Sequence, residues 1–172
     1  PPNATHALDL GCAVGGSAFT LAASFDHVVG VDFSNAFVAA AEAMREKHAC
    51  TYRTLVEGST YETASASLTE SQKASASKCR FFVGDACTVT ASEAGGSAFD
   101  VVLMANLLCR VPDPRALLAN VKALLKGPGG VVVLASPFSW TEAFTPKDRW
   151  LGGYDGADGK PVDSSAELRK EM

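Results

Sequence analysis

The residues of this chain best placed to do chemistry are acids and amides that end short apolar runs. Asp9 closes Ala7-Leu8-Asp9-Leu10 just ahead of the glycine-rich stretch Gly11-Cys12-Ala13-Val14-Gly15-Gly16. Such a stretch reads as a strand, a tight turn and a helix, with backbone free to approach a ligand and the first helical N–H groups pointing at it. A dinucleotide turn, G-x-G-x-x-G, would want glycines at 11, 13 and 16, and position 13 is alanine. A carboxylate at Asp9 would repel a phosphate and attract a cationic ligand. A nucleotide turn and a purely structural turn stay open at this point.

Three further run ends fit one ligand. Asp32 ends His-Val-Val-Gly-Val-Asp and lies 21 residues after Gly11, the spacing at which a second-strand acid accepts hydrogen bonds from ribose hydroxyls. Its bland alternative is a helix cap, a role for which Ser34 is already suited. Asp85-Ala86 follows Arg80-Phe-Phe-Val-Gly84, so Asp85 could accept from an exocyclic amine while the Ala86 N–H serves a ring nitrogen. A plain turn aspartate would look the same. Asn106 ends Phe99 to Asn106 with a neutral amide that could hold a reactant by hydrogen bonds, with Leu107 and Leu108 walling the pocket. Arg110 would grip a carboxylate by a two-pronged contact or sit in a structural ion pair. Ser136 ends the last apolar run, and Trp140, Trp150 and Tyr154 would close the acceptor side or simply pack.

The elements that must position these groups alternate. Apolar runs 7–10, 27–32, 80–84, 99–106 and 131–135 read as five buried strands. Helices are expected at Ser17 to Phe25, Asn35 to His48, Pro114 to Lys126 and Ser164 to Lys170. The second would turn Phe37, Val38, Ala41 and Met44 inward, the third Leu117, Leu118, Val121, Leu124 and Leu125. The result is an α/β fold, a mostly parallel sheet with helices on both faces and ligands at the carboxyl ends of the strands. Thr51 to Glu57 reads as extended. From Gly58 to Ser77, or 58–79 at its widest, Ser, Thr, Ala and Glu dominate without apolar periodicity, which reads as a mobile or loosely helical surface insertion and candidate lid.

A length of 172 residues with 47% apolar content suits one domain, 1–172. The net charge of −4 comes without a basic stripe, which argues for a small-molecule substrate and against nucleic acid. No bilayer-length apolar run and no leader pattern are present, so no membrane association and a cytoplasmic location are expected. The five cysteines form no C-x-x-C pair and the three histidines are scattered, the pattern of free thiols without a metal site.

Asp9-x-Gly11-x-x-x-Gly15 resembles the first motif of the class I S-adenosylmethionine-dependent methyltransferases, Ala13 being its departure. Longer stretches are more specific. Gly30-Val-Asp-Phe-Ser34, Gly84-Asp-Ala-Cys87, Ala105-Asn-Leu-Leu-Cys-Arg110, Ser136-Pro-Phe-Ser-Trp140, and Thr145-Pro-Lys147 through Trp150-Leu-Gly-Gly153 together resemble the methyltransferase of ovothiol biosynthesis. That family methylates an imidazole nitrogen of 5-mercaptohistidine and is commonly fused to a sulfoxide synthase domain. The resemblance implies a Rossmann-like fold and S-adenosylmethionine as cofactor, held by Asp9, Gly11, Ala13, Gly15, Asp32, Phe33, Asp85, Ala86 and Asn106. Asn106 and Arg110 would serve catalysis, with Arg110, Ser136, Trp140, Trp150 and Tyr154 holding the substrate. The iron-binding histidines of the synthase half are absent. Because the fold usually ends in an antiparallel strand pair that would have to follow Met172, those strands are expected to be missing and the domain to be truncated at both ends. A methyltransferase of other specificity, an NAD-dependent oxidoreductase and a non-catalytic S-adenosylmethionine-binding module remain alternatives.

Overall fold

Runs of Val, Leu and Ala too short for helices pair side by side in the computed structural model, which describes residues 3–95 and 98–172. In chain order the elements are β1 (His6–Leu10), α1 (Gly16–Leu21), β2 (His27–Asp32), α2 (Asn35–Lys47), β3 (Ala49–Glu57), β4 (Thr60–Ser67) and α3 (Glu70–Ser75). There follow β5 (Cys79–Val83), β6 (Val101–Ala105), α4 (Pro114–Leu124), β7 (Val131–Ala135), β8 (Tyr154–Asp155), β9 (Pro161–Val162) and α5 (Ser164–Glu171). The main sheet runs β5-β2-β1-β6-β7 with every pairing parallel. The chain first builds outward from β1 through β2 to β5, then returns to place β6 on the other side of β1. Strand order therefore reverses at the β1–β6 boundary, where sheets of this kind open a crevice for ligands.

Side chains alternate across the sheet and fill two cores. Leu8, Leu10, Val29, Val31, Val102 and Met104 meet Leu117, Leu118, Val121 and Leu124 of α4. On the opposite face Ala7, Val28, Cys79, Phe81 and Val101 meet Ala18 and Phe19 of α1 and Val38, Ala41 and Met44 of α2. Asp9 shares a face with Ala7, so its carboxyl is directed at the α1 layer. Asp100, at the mouth of β6, accepts from the N–H groups of Thr5 and His6 at 2.9 and 3.0 Å, and these bonds hold its carboxyl down to about 2.

Several sequence expectations are corrected. The first helix stops at Leu21, well short of Phe25. Phe37 is 48% exposed, because the inward stripe of α2 steps Val38, Ala41, Met44 and leaves residue 37 to one side. β7 is not a buried strand: it lies at the sheet edge, with Val131 and Val133 open to solvent and only Val132 and Leu134 packed on the core. The region after Gly58 is neither loose nor mainly helical. β3 and β4 form an antiparallel hairpin, Ala49 opposite Ser67, closed by Gly58 at φ 53°, and α3 follows with a Thr69–Gln72 capping box. Residue 79 belongs to β5. Apart from Cys50 and Ala66, which pack partly on the α2-side core, the hairpin is solvated over both faces, so it shows little of the apolar alternation that marks a half-buried strand.

The last helix forms over Ser164–Glu171, capped by Asp163, and lies against α4 through Arg115 to Glu171 at 2.8 Å and Lys122 to the Glu171 carbonyl at 2.7 Å. Among the described residues the only antiparallel pairs are β3–β4 and the two-residue ladder β8–β9, both outside the main sheet. No described helix is long and apolar enough to cross a membrane.

Candidate functional site

The turn between β1 and α1 is hung on the end of β2. The N–H groups of Gly11 and Cys12 donate to the Val31 carbonyl at 2.8 and 3.1 Å, and the Ala13 N–H donates to Asp32 Oδ2 at 2.9 Å. Gly11 and Gly15 sit at φ 75° and 87°. A Cβ on Gly11 would lie 2.9 Å from Leu107 Cδ1, and one on Gly15 would lie 2.8 Å from Phe81 Cζ. Ala13 also takes a left-handed φ of 46°, which costs an L-residue roughly 1–2 kcal/mol. The departure from the glycine pattern is thus accommodated by strain rather than by a different turn.

Asp9 lies beneath this turn at 1% exposure, and its Oδ2 has no hydrogen-bond partner. Burial, opposed by the Ala18 N–H and reinforced by the nearby Asp32 charge, raises its carboxyl to about 7. Near neutrality, therefore, the acid read from the sequence as repelling phosphate stands between its two states. The neighbouring thiols of Cys12 and Cys79 are pushed up by burial to about 12, which leaves them inert.

Asp32 divides its oxygens between the Ala13 N–H and the Ser34 N–H, 2.9 Å each. Capping of α2 falls to Ser34, which accepts from the Phe37 N–H at 3.3 Å. Each Asp32 oxygen keeps a lone pair, and Phe33 beside it is 81% exposed. Asp85 accepts from the Cys87 N–H at 2.8 Å and remains exposed. Sequence reasoning missed Asn120 on α4. Its amide donates to the carbonyls of Ala86 and Val89 at 3.0 and 2.9 Å and pins the Asp85-Ala86 loop. A polar residue among the apolar positions of α4 was the one available signal.

Asn106 has a left-handed φ of 59°, is exposed, and ties β6 to β7 through its N–H on the Ala135 carbonyl at 2.8 Å. Leu107 wedges under Gly11, whereas Leu108 is fully buried in the α4-side core and walls nothing. Arg110 is committed within the chain. Its guanidinium donates to the carbonyls of Cys109 and Ser139 and to Ser139 Oγ at 2.8–2.9 Å and faces the Phe144 ring, so it braces the loop after β7. No carboxylate among the described residues pairs with it. Ser136 accepts from the Phe138 N–H at 3.2 Å.

Of the aromatics expected at the acceptor side, Trp140 and Trp150 pack against each other and the C-terminal segment. Trp140 and Trp150 stack at 6.4 Å, and their indole N–H groups donate to Ser164 Oγ and the Thr145 carbonyl. Half-buried indoles need such partners. Tyr154 lines an open cleft of about 520 Å³ with Lys147, Asp148 and Asp155. The structure thus brings Asp9, Gly11, Ala13, Gly15 and Asp32 together in one hydrogen-bonded turn. Trp140 and Trp150 lie outside that turn.

A methyltransferase-domain family model matches residues 8–132. No curated protein matches the chain. Among solved structures, S-adenosylmethionine-bound CalS10, an amino pentose methyltransferase from Micromonospora echinaspora involved in calicheamicin biosynthesis, is 26% identical with a TM-score of 0.54, over 90% of this chain and 49% of that one. The PH0226 protein of Pyrococcus horikoshii gives 23% and 0.51 over 76% of this chain and 48% of that one. YcgJ of Bacillus subtilis gives 17% and 0.50 over 72% and 40%. The chain spans less than half the length of each of these structures. With the family model covering well over half of the sequence and the glycine turn, strand order and strand-end acids falling inside it, the chain belongs to the methyltransferase-domain family.

Proposed function

We propose that this domain binds S-adenosylmethionine across the ends of β1, β2 and β5 and methylates a ring nitrogen of a small imidazole amino acid, 5-mercaptohistidine. The observation that carries the cofactor reading is the β1–α1 turn: glycines with no room for a Cβ, above a buried carboxyl oxygen with no partner. That orphan oxygen suits a ligand bearing positive charge and opposes a pyrophosphate. Family membership and the likeness to a protein solved with S-adenosylmethionine support it. The acceptor reading rests on the ovothiol-type stretches, Ala105 to Arg110 and Trp150 to Gly153 above all. The same resemblance supports work beside, or fused to, a sulfoxide synthase domain.

Bound, the cofactor supplies an electrophilic methyl on a sulfonium. Asp32 orients the ribose through its spare lone pairs, the exposed Phe33 ring covers the base, and Asp85 with the Ala86 N–H reads the base edge. Leu107 keeps water from the turn, and the Asn106 amide, at the crevice where strand order reverses, holds the acceptor. A neutral imidazole nitrogen already offers a lone pair, so alignment in a dry site does the work and no strong base is required. Arg110 acts by fixing the Ser139 loop beside that crevice.

Mass spectrometry of 5-mercaptohistidine incubated with the protein and S-adenosylmethionine is expected to show one methyl on a ring nitrogen. No product, with S-adenosylhomocysteine still raising the melting temperature, would remove the acceptor; NADH raising it instead would remove the cofactor. Asn120→Ala is expected to weaken S-adenosylhomocysteine by about 5- to 30-fold, the loss of one or two hydrogen bonds worth about 1 kcal/mol each. Calorimetric titration checks this, and an unchanged affinity would show that the Asp85-Ala86 loop does not read the base.

A further inference from the structure

The carboxyl of Asp9 is enclosed without a counter-charge. From β1 and its turn it is faced by the Cys12 thiol, from β2 by Asp32, and from β5 by the Cys79 thiol. The α1 layer brings the Ala18 N–H and no charged side chain. Among the described residues no cation lies within ion-pair distance of it, and Oδ2 is without a partner at 1% exposure. A carboxylate so placed needs either a proton or a positive ligand above it.

We propose that Asp9 exchanges its proton for the ligand's positive charge: the O–H bond breaks as a sulfonium settles over the turn, the proton leaves to solvent, and it returns when the sulfonium has become a thioether. This inference rests on the cofactor reading above and deepens it. The site then distinguishes cofactor from spent product by charge, holding the first more tightly and easing the release of the second. Burial raises the Asp9 carboxyl to about 7, which puts the exchange within the neutral range, and the inert thiols beside it do not compete for the proton.

The test is titration calorimetry of the whole chain with S-adenosylmethionine and S-adenosylhomocysteine, each in phosphate and in Tris, at pH 7 and pH 9. The sulfonium also makes its own ligand's ammonium more acidic, so the share due to Asp9 is the part of the difference between the ligands that Asp9→Asn removes. Through Asp9, S-adenosylmethionine is expected to release about half a proton more than S-adenosylhomocysteine at pH 7, a share that vanishes at pH 9 and in Asp9→Asn. Binding without that share, or a difference between the ligands left undiminished by Asp9→Asn, overturns the exchange and leaves the cofactor reading standing; no binding of either ligand overturns both. The ligand-free protein gives a second readout. A carboxyl whose folded value is raised contributes stability below the ordinary carboxylate range and loses it as the pH rises through about 7. Asp9→Asn is therefore expected to melt higher than wild type at pH 8, with the gain shrinking toward pH 5; a gain independent of pH overturns the proposal.

Discussion

Gly15→Val is expected to abolish binding of S-adenosylhomocysteine and to lower the melting temperature by about 10 °C. Two costs combine. A φ of 87° puts an L-residue in left-handed backbone at roughly 1–2 kcal/mol. The added Cβ would meet Phe81 Cζ at 2.8 Å and Phe19 Cε2 at 3.0 Å. Those rings already pack edge to face at 5.3 Å and are buried to 7% and 1% exposure, so neither can swing aside. Overpacking of this kind adds about 1–3 kcal/mol, and a few kcal/mol in a domain of this size moves melting by several degrees each. The strain is relieved by pushing α1 off β5, which displaces the helical N–H groups that face the turn. Gly16→Ala is the control: nothing lies within 4 Å of its Cβ, so affinity and melting are expected to stay near wild type. Scanning calorimetry and ligand titration on both variants decide the matter, and affinity retained by Gly15→Val would show that the turn is not the cradle.

The strand ends that frame the candidate site were legible in the sequence because their parts are local. A buried parallel strand is an apolar run, its polar terminus marks the sheet's carboxyl edge, and the glycines that admit a ligand follow directly. Asp9, Asp32, Asp85 and Asn106 all stand where those rules put them. What escaped depends on partners far along the chain. Asn120 reaches the Ala86 carbonyl across 34 residues, Arg110 reaches Ser139 across 29, and Asp100 binds the Thr5 N–H across 95. None of these contacts leaves a periodic trace. The β3–β4 hairpin escaped for the opposite reason, since a ribbon wet over most of both faces carries little apolar period to read. The state of Asp9 needed depth of burial, which a strand-end acid does not announce.

Asp32→Ala separates the bracing of the turn from the ribose contact proposed above, and S-adenosylhomocysteine affinity is expected to fall about 30- to 100-fold. Part of that loss is structural. Asp32 holds the Ala13 N–H and the Ser34 N–H at 2.9 Å each, and hydrogen bonds to a charged acceptor contribute about 1.5–3 kcal/mol. Without them Ala13 has less reason to keep its left-handed φ of 46°, so the ligand-free variant should melt several degrees lower. The remainder of the loss is the ribose contact itself. A second change tells them apart: Ala13→Gly in the Asp32→Ala background lets the turn adopt its conformation without strain, worth up to about 1 kcal/mol. Melting should then recover in part while affinity stays low, because a glycine supplies no acceptor for a hydroxyl. Affinity that recovered together with melting would reduce Asp32 to a brace for the turn and leave ribose recognition to another strand end.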